Sequence, residues 1–374
     1  MAQNYSAQYS LDDITYTALT NVQSIAITIG RQKQLDQYNA GNAVVEVRYP
    51  TGYASPITAL VPGTYFRFVN LTTSQVMWYG KISNVDTTWG KPYTGGVGNA
   101  DFITVYAEGS FAAAGRAYGN NTVIAANTVQ LQALAATTAS GISFANFNYP
   151  LYNPMSAQTV SGTWGDWINQ LMLSVNGRII DSNAHAIQYL GPSDIVAGTI
   201  GFSDTTNNAT NQVYDQIDFG AYTDNYWTQV NVAPSGLANQ VVQTGAAPYR
   251  TLSVSTFNGN TTEALNFANY LLNNYKTPAY AITAISCLAE AQNVFKLDQI
   301  SPDLFYRKFA CSIGVQVPIT FRGTTYYGII EGVTMTATPD TSRYTFYISG
   351  ASLNSYLILG DAVFGRLDFN KLGY

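Results

Sequence analysis

The sequence predicts a mainly β protein with an α+β middle part: two antiparallel β-barrel-like domains flanking a small α+β module. Three observations predict it. Apolar residues alternate with a period of two near both ends of the chain, as in half-buried strands. The strands are short and are separated by clusters of Gly, Pro and Asn, the punctuation of barrels and sandwiches. Between the two ends the apolar period switches to that of helices, twice. The expected division is 1–111, 112–290 and 291–374.

The first region carries the strand pattern most plainly. Ile25, Ile27 and Ile29 alternate with small or polar residues. Ala43 to Tyr49 is a second strand, dense in valine; Tyr65 to Val69, Val76 to Tyr79 and Phe102 to Ala107 follow. The glycine-rich stretch from Trp89 to Asn99 is expected to be a flexible hairpin tip. Past Ser110, Ala, Gly and Asn dominate up to Ala126. Asn127 and Thr128 then stand where a cap would start a short helix carrying Val129, Leu131 and Leu134. A loop is expected from Phe144 to Ser161.

The clearest helix has Trp164, Trp167, Ile168, Leu171, Met172 and Val175 on one face. Thr163 and Asp166 form a capping-box pattern at its start, and Gly177 is the expected left-handed C-cap. A hairpin follows, with arms at Arg178–Asp181 and Ala186–Leu190 and a turn at 182–185. A second helix, capped by Thr261 or Thr262, carries Ala264, Leu265, Ala268, Leu271, Leu272 and Tyr275, and Pro278 stops it. Strands at Thr251–Thr256 and Tyr280–Leu288 flank it. The last part returns to strands: Val315, Val317, Ile319 and Phe321 alternate, Arg322-Gly323 turns, and 326–336 and 344–349 complete a meander. The two end regions have strands of similar length and turn spacing, which hints at an internal duplication.

Composition narrows the class of function. Charged residues are only 10% of the 374, against 47% hydrophobic, where about 25% charged is usual. Such a surface suits a chain that buries much of itself against neighbours, and its 28 tyrosines supply apolar area with a polar tip. The net charge of −5, without any basic run, argues against specific nucleic-acid binding. No apolar run approaches a membrane span. Met1 to Leu11 is polar and unlike a signal peptide, so synthesis and early life in a cytoplasm are expected. Cys287 and Cys311 fit neither zinc spacing nor a disulfide framework and are expected to be buried thiols.

Catalytic and cofactor signals are weak. The single histidine, His185, falls in the expected hairpin turn; alone it makes no metal site. Asp12-Asp13, Asp101, Glu108 and Glu331 are read as solvated or capping carboxylates, since nothing local pairs them. Gly95-Gly96-Val97-Gly98 lacks the Gly-Lys-Ser/Thr ending of a phosphate loop. The expectation is no enzyme, no cofactor and no metal. Two aromatic clusters, Tyr222/Tyr226/Trp227 and Tyr326/Tyr327, are each expected to put about half their rings in the core, with the rest making subunit contacts rather than binding sugar.

Several segments together resemble the minor tail, tail-hub or baseplate-hub proteins of long-tailed bacteriophages. Ile27-x-x-Gly30-Arg31, then Leu35-Asp36-x-Tyr38-x-Ala40-Gly41-x-Ala43-x-Val45-x-Val47, is similar to the family's opening. Trp78-Tyr79-Gly80-Lys81-Ile82 and Val105 to Phe111 are similar to two later strands of its first barrel. Trp164 to Tyr189 and Tyr249 to Leu288 are similar to its middle modules. Ile330-Glu331-Gly332-Val333 with Ala337-Thr338-Pro339, and Leu359 to Leu367 followed by Leu372-Gly373-Tyr374, are similar to its ending. Typical members are richer in charge and arginine, and some carry an appended lytic or fibre domain.

The resemblance implies a structural hub of the virion tail tip: a homotrimer whose two barrels per chain present six similar units, so that a three-fold tip docks on a six-fold tail tube. The implied partners are the tail tube or distal tail protein and the tip or fibre proteins, and the implied action is to anchor fibres and open for DNA. The alternatives are a distal tail ring protein and a host-surface carbohydrate-binding protein. The expected interface residues are Trp89 and Tyr93 at the hairpin tip, and Phe364, Leu367 and Tyr374 near the C-terminus.

Overall fold

A computed structural model describes residues 5–49, 58–71, 74–88, 101–143, 153–181, 186–191, 195–198, 200–205, 211–220, 226–276, 281–289 and 313–350. The chain is mainly β with few helices. The N-terminal strands are β1 (Tyr5–Ser10), β2 (Thr17–Ala18), β3 (Val22–Gly30), β4 (Asn42–Tyr49), β5 (Tyr65–Asn70), β6 (Gln75–Thr88) and β7 (Asp101–Glu108). Next come α1 (Phe111–Arg116), β8 (Thr122–Ile124), β9 (Asn127–Thr128), α2 (Val129–Ser140), β10 (Pro154–Met155), β11 (Gln158–Val160), α3 (Trp164–Leu173), β12 (Arg178–Asp181) and β13 (Ile187–Leu190). Four short strands follow: β14 (Val196–Ala197), β15 (Gly201–Ser203), β16 (Asn211–Val213) and β17 (Gln216–Gly220). Then come β18 (Gln229–Pro234), β19 (Gln240–Gln243), β20 (Thr251–Thr256), α4 (Thr261–Tyr275), β21 (Ala281–Ala289), β22 (Val315–Phe321), β23 (Thr324–Ala337) and β24 (Ser342–Gly350).

The expected strands and both long helices are present. Each alternating run buries one side: Ile25, Ile27 and Ile29 in β3, and Val315, Val317 and Ile319 in β22, all point into one large core. Instead of two closed barrels, fifteen strands hydrogen-bond into one continuous sheet, and among the described residues no set of strands closes on itself. Its path runs β16-β15-β22-β23-β3-β4-β7-β6-β5-β1-β2, with β24, β21 and β17 branching from β23. A second core lies under α1, α2, α3 and the β12–β13 hairpin; a third lies between α4 and the sheet β19-β18-β20.

Five strands occur twice in the same order. The first unit is β3-β4-β7-β6-β5 and the second is β17-β21-β24-β23-β22. The registers agree across the central pairs of the two units. Ile82 pairs with Ala107 and Asn84 with Tyr106, across a bulge at Ser83; Ile330 pairs with Ile348 and Gly332 with Tyr347, across a bulge at Glu331. On the far side Tyr106 pairs with Val44 and Tyr347 with Ala284. The residues agree as well: Tyr79, Gly80, Ile82, Val85 and Thr88 stand where the second unit has Tyr327, Gly328, Ile330, Val333 and Thr336. Likewise Thr104, Tyr106 and Gly109 match Thr345, Tyr347 and Gly350.

Several local expectations are corrected. The left-handed residue after α3 is Asn176 (φ 53°), and Gly177 is needed for space, since a Cβ there would meet Met172 Sδ at 2.9 Å and the Leu190 carbonyl at 3.0 Å. Asn260, not a threonine, caps α4 by accepting from the Glu263 N–H at 2.8 Å. Leu131 and Leu134 of α2 face outward; Val129, Gln132, Ala133 and Ala136 face the core. Tyr326 and Tyr327 are both exposed rather than half core.

Candidate functional site

The two units meet inside the chain along β3 and β23. Gly30 to Ile25 pair antiparallel with Gly332 to Ala337. The strands approach so closely at Gly30 and Gly332 that a Cβ on either would collide with backbone of the other segment. Gly30 also has φ 79°, a conformation side chains disfavour.

The bulge at Glu331 turns this carboxylate inward, where it is wholly buried. Oε1 accepts from Arg178 Nη2 at 2.7 Å and from Ser349 Oγ at 2.7 Å; Oε2 accepts from Arg31 Nε at 2.9 Å. Arg31 follows β3, Arg178 opens β12, and Glu331 lies in β23, so the triad ties both units to the middle region. The Tyr38 ring lies 4.4 Å from the Arg31 guanidinium, and its hydroxyl reaches toward Oε2. Burial works against ionisation of Glu331, but Arg178 and Arg31 hold its carboxyl down at about 2. Arg178 is raised above its ordinary value: burial opposes its charge, and Glu331 more than offsets this.

The loop from Arg31 to Gly41 is clamped along its length. Gln34 donates to Tyr270 Oη at 2.7 Å and accepts from Tyr275 Oη at 2.9 Å, both on α4. The Asn169 amide of α3 exchanges two hydrogen bonds with the Tyr38 backbone. At the loop's end, partly buried Asp181 of β12 accepts from the Gly41 N–H at 2.6 Å and the Phe111 N–H at 2.5 Å. Burial pushes this carboxyl up to about 6, against the pull of those two donors.

This arrangement offers rigid connection. Every partner of Glu331 is a fixed structural group, and the cluster is sealed from solvent. Among the described residues no group of His, Cys, Asp and Glu is placed to hold a metal ion, and no helix is long and apolar enough to cross a membrane. Cys287 is buried in the large core. Tyr226 and Trp227 are half-buried beneath the Arg250 guanidinium, which lies 5.9 and 5.8 Å from their rings. The expected interface residues Trp89, Tyr93, Phe364, Leu367 and Tyr374 lie outside the described residues, as do His185, Cys311 and Tyr222.

The sequence reading missed Glu331 as a site residue, placing it among solvated carboxylates. A signal was present: a lone acid in a strand otherwise apolar on both sides, Ile329-Ile330-Glu331-Gly332-Val333, with the arginines of two Gly-Arg pairs, Arg31 and Arg178, elsewhere in the chain.

No family model matches the chain, and no curated protein does. Solved structures do. The 43 kDa tail protein of prophage MuSo2 from Shewanella oneidensis superposes with TM-score 0.64 at 10% identity, over 92% of this chain and 97% of that one. A tail protein from Neisseria meningitidis MC58 gives TM-score 0.64 at 10% identity, over 94% and 98%. The E. coli c3393 protein, a type VI secretion component described as similar to the T4 tail proteins gp27 and gp5, gives TM-score 0.52 at 10% identity, over 89% of this chain and 74% of that one. The chain therefore has the fold of phage tail proteins, across nearly the full length of both.

Proposed function

We propose that the chain is the hub of a tailed bacteriophage's tail tip, a homotrimer that joins the six-fold tail tube to a three-fold tip, anchors fibres and opens for DNA passage. The observation that supports this best is the duplication. Two units with one strand order, one bulge position and matching residues give each chain two near-equivalent faces. Three such chains present six, which resolves the mismatch between a three-fold and a six-fold partner; closed rings of this kind are built on heterologous contacts. In this reading the two units are the ring-forming barrels, completed by neighbouring chains. The chain acts as structure rather than as an enzyme, in the virion tail after assembly in the host cytoplasm. Its partners are the tail tube or distal tail protein on one side and tip or fibre proteins on the other. Trp89 and Tyr93, and Phe364, Leu367 and Tyr374, remain the proposed contacts to these neighbours.

The duplication also weighs against a six-chain distal ring, which would present twelve units to a six-fold tube. Light scattering on the purified chain tests the reading. A mass of three 40.5 kDa chains is expected; a stable six-chain ring would overturn the trimer and favour the distal tail protein.

A further inference from the structure

We infer that neighbouring protomers are joined by an intermolecular β-seam, in which the end of β6 (86–88) pairs antiparallel with the end of β17 (218–220) of the next copy. The inference rests on the trimeric reading above and specifies the surface that would close it.

The template is the joint already inside the chain. There β3, the outer strand of the first unit, pairs with the second half of β23, past its bulge. The counterpart of β3 in the second unit is β17, and the counterpart of that half of β23 in the first unit is β6 beyond Ser83. Both counterparts are open. Among the described residues β17 pairs only with β21, and Asn84 to Thr88 pair only with β7, because β5 stops opposite Lys81. One rule, applied between chains as it applies within one, pairs the two open edges. A head-to-tail joint of this sort repeats until it closes.

Burial supplies a second, independent sign. In the joint that is made, Ile25, Ile27 and Ile29 on one side and Val333, Met335 and Ala337 on the other are buried. At the open edges Val85, Ile217 and Phe219 pack against the same large core but are only partly covered. They belong to the core's rim, and a strand laid along each edge would bury them as their counterparts are buried. The edges also lack the lysines that commonly blunt free strands.

The template fixes one residue pair. Ala26 lies opposite Thr336. Asp218 stands where the first unit has Ala26, and Thr88 where the second has Thr336. Thr88 of one copy therefore faces Asp218 of the next, at the ~4.5–5.5 Å Cα spacing of antiparallel partners, within reach of a disulfide.

The experiment is oxidative cross-linking of the full chain carrying Thr88→Cys with Asp218→Cys, run beside each single variant. Ala26→Cys with Thr336→Cys serves as the internal control and should close within one chain. The expected result is a non-reducing gel with covalent dimers and trimers for T88C/D218C, none for either single variant, and a parental oligomeric mass for both singles. A three-chain mass without intermolecular cross-links, while the internal control oxidises, overturns the seam and leaves the hub reading standing. Cross-links in a six-chain ring keep the seam and overturn the trimer. A chain that stays monomeric without cross-links overturns both.

Discussion

Glu331→Gln would remove one negative charge from between two arginines that have little access to water. Glu331 and Arg178 side chains are fully buried and Arg31 is 5% exposed. At an effective dielectric near 20, a contact at about 4 Å is worth roughly 4 kcal/mol before desolvation is subtracted. Breaking a buried pair by deleting one partner costs about 3–5 kcal/mol, because the remaining charge stays in the interior. Two guanidinium groups are stranded here, so the upper part of that range is expected. With a urea slope of about 3 kcal/mol/M, the unfolding midpoint falls by about 1 M or more. The assay is urea unfolding followed by tryptophan fluorescence. A loss below about 1 kcal/mol would refute the argument that this carboxylate is the obligatory counter-ion. A second arm uses acid. Against the opposing effect of burial, the folded pKa of Glu331 is lowered to about 2 from its ordinary value of 4.5 by Arg178 and Arg31, so its contribution is present above the unfolded value and is lost as pH falls through the folded one. Wild-type stability should therefore slope downward from about pH 4.5 toward 2, and part of that slope should vanish in the variant. A third arm separates charge from shape. Arg31 Nη2 and Arg178 Nε and Nη1 have no protein partner among the described residues, so the triad is imperfectly satisfied. Replacing all three residues with methionine should then cost less than the single Glu331→Gln change.

Other substitutions probe neighbouring features. Gly332→Ala places a methyl group against the Arg31 and Ile29 carbonyls, and should lower stability by about 1–3 kcal/mol in the same unfolding assay. Asp181 has its pKa raised to about 6 by burial, so the folded state holds that proton more tightly than the unfolded state. Its contribution is fully present below the unfolded value and is lost as pH rises through about 6, and Asp181→Asn should flatten the stability profile over that window. Ala133→Leu overfills the buried face of α2 and should cost about 1–3 kcal/mol, whereas Leu131→Ser on its outer face should stay within about 0.5 kcal/mol; thermal melts distinguish the two.

Much of the fold was legible because strand and helix periods act locally. The alternation of Ile25, Ile27 and Ile29, and the face from Trp164 to Met172, follow from which side of an element meets the core. Caps were half legible: Thr163 was identified, but Asn260 was passed over for the threonines beside it, since Asn and Thr both cap well. The α2 leucines misled because that helix is nearly uncharged all round, so apolar character does not mark its buried side; the small alanines that allow close approach do. Aromatic pairs on strands were read by alternation, yet Tyr326 and Tyr327 both remain exposed. Strand pairing was the least legible. The likeness of Trp78-Tyr79-Gly80-Lys81-Ile82 to Tyr326-Tyr327-Gly328-Ile329-Ile330 is present in the sequence, but such short strand patterns are common. It gains meaning only when both segments bulge at the next residue. Glu331 stood out only as a lone acid in an apolar strand, and its role as a site was not legible because its arginines arrive from segments far apart in the chain.

The joint between β3 and β23 has a kinetic consequence during synthesis. Arg31 and Glu331 are separated by 300 positions. At roughly 5–20 residues per second, the N-terminal strands leave the ribosome about 15–60 s before their partner exists. For that interval the outer edge of β3, with its row of isoleucines beside it, has no native strand to pair with. Contacts of such long range also slow folding itself, since a large loop must close before any pairing rewards it. A nascent chain of this design is exposed to mispairing with its own copies on neighbouring ribosomes, through the same β3 edge that later pairs with β23 within the chain. Demand for a holding chaperone should therefore peak while the middle third is being translated, and should end once residues 332–337 have emerged.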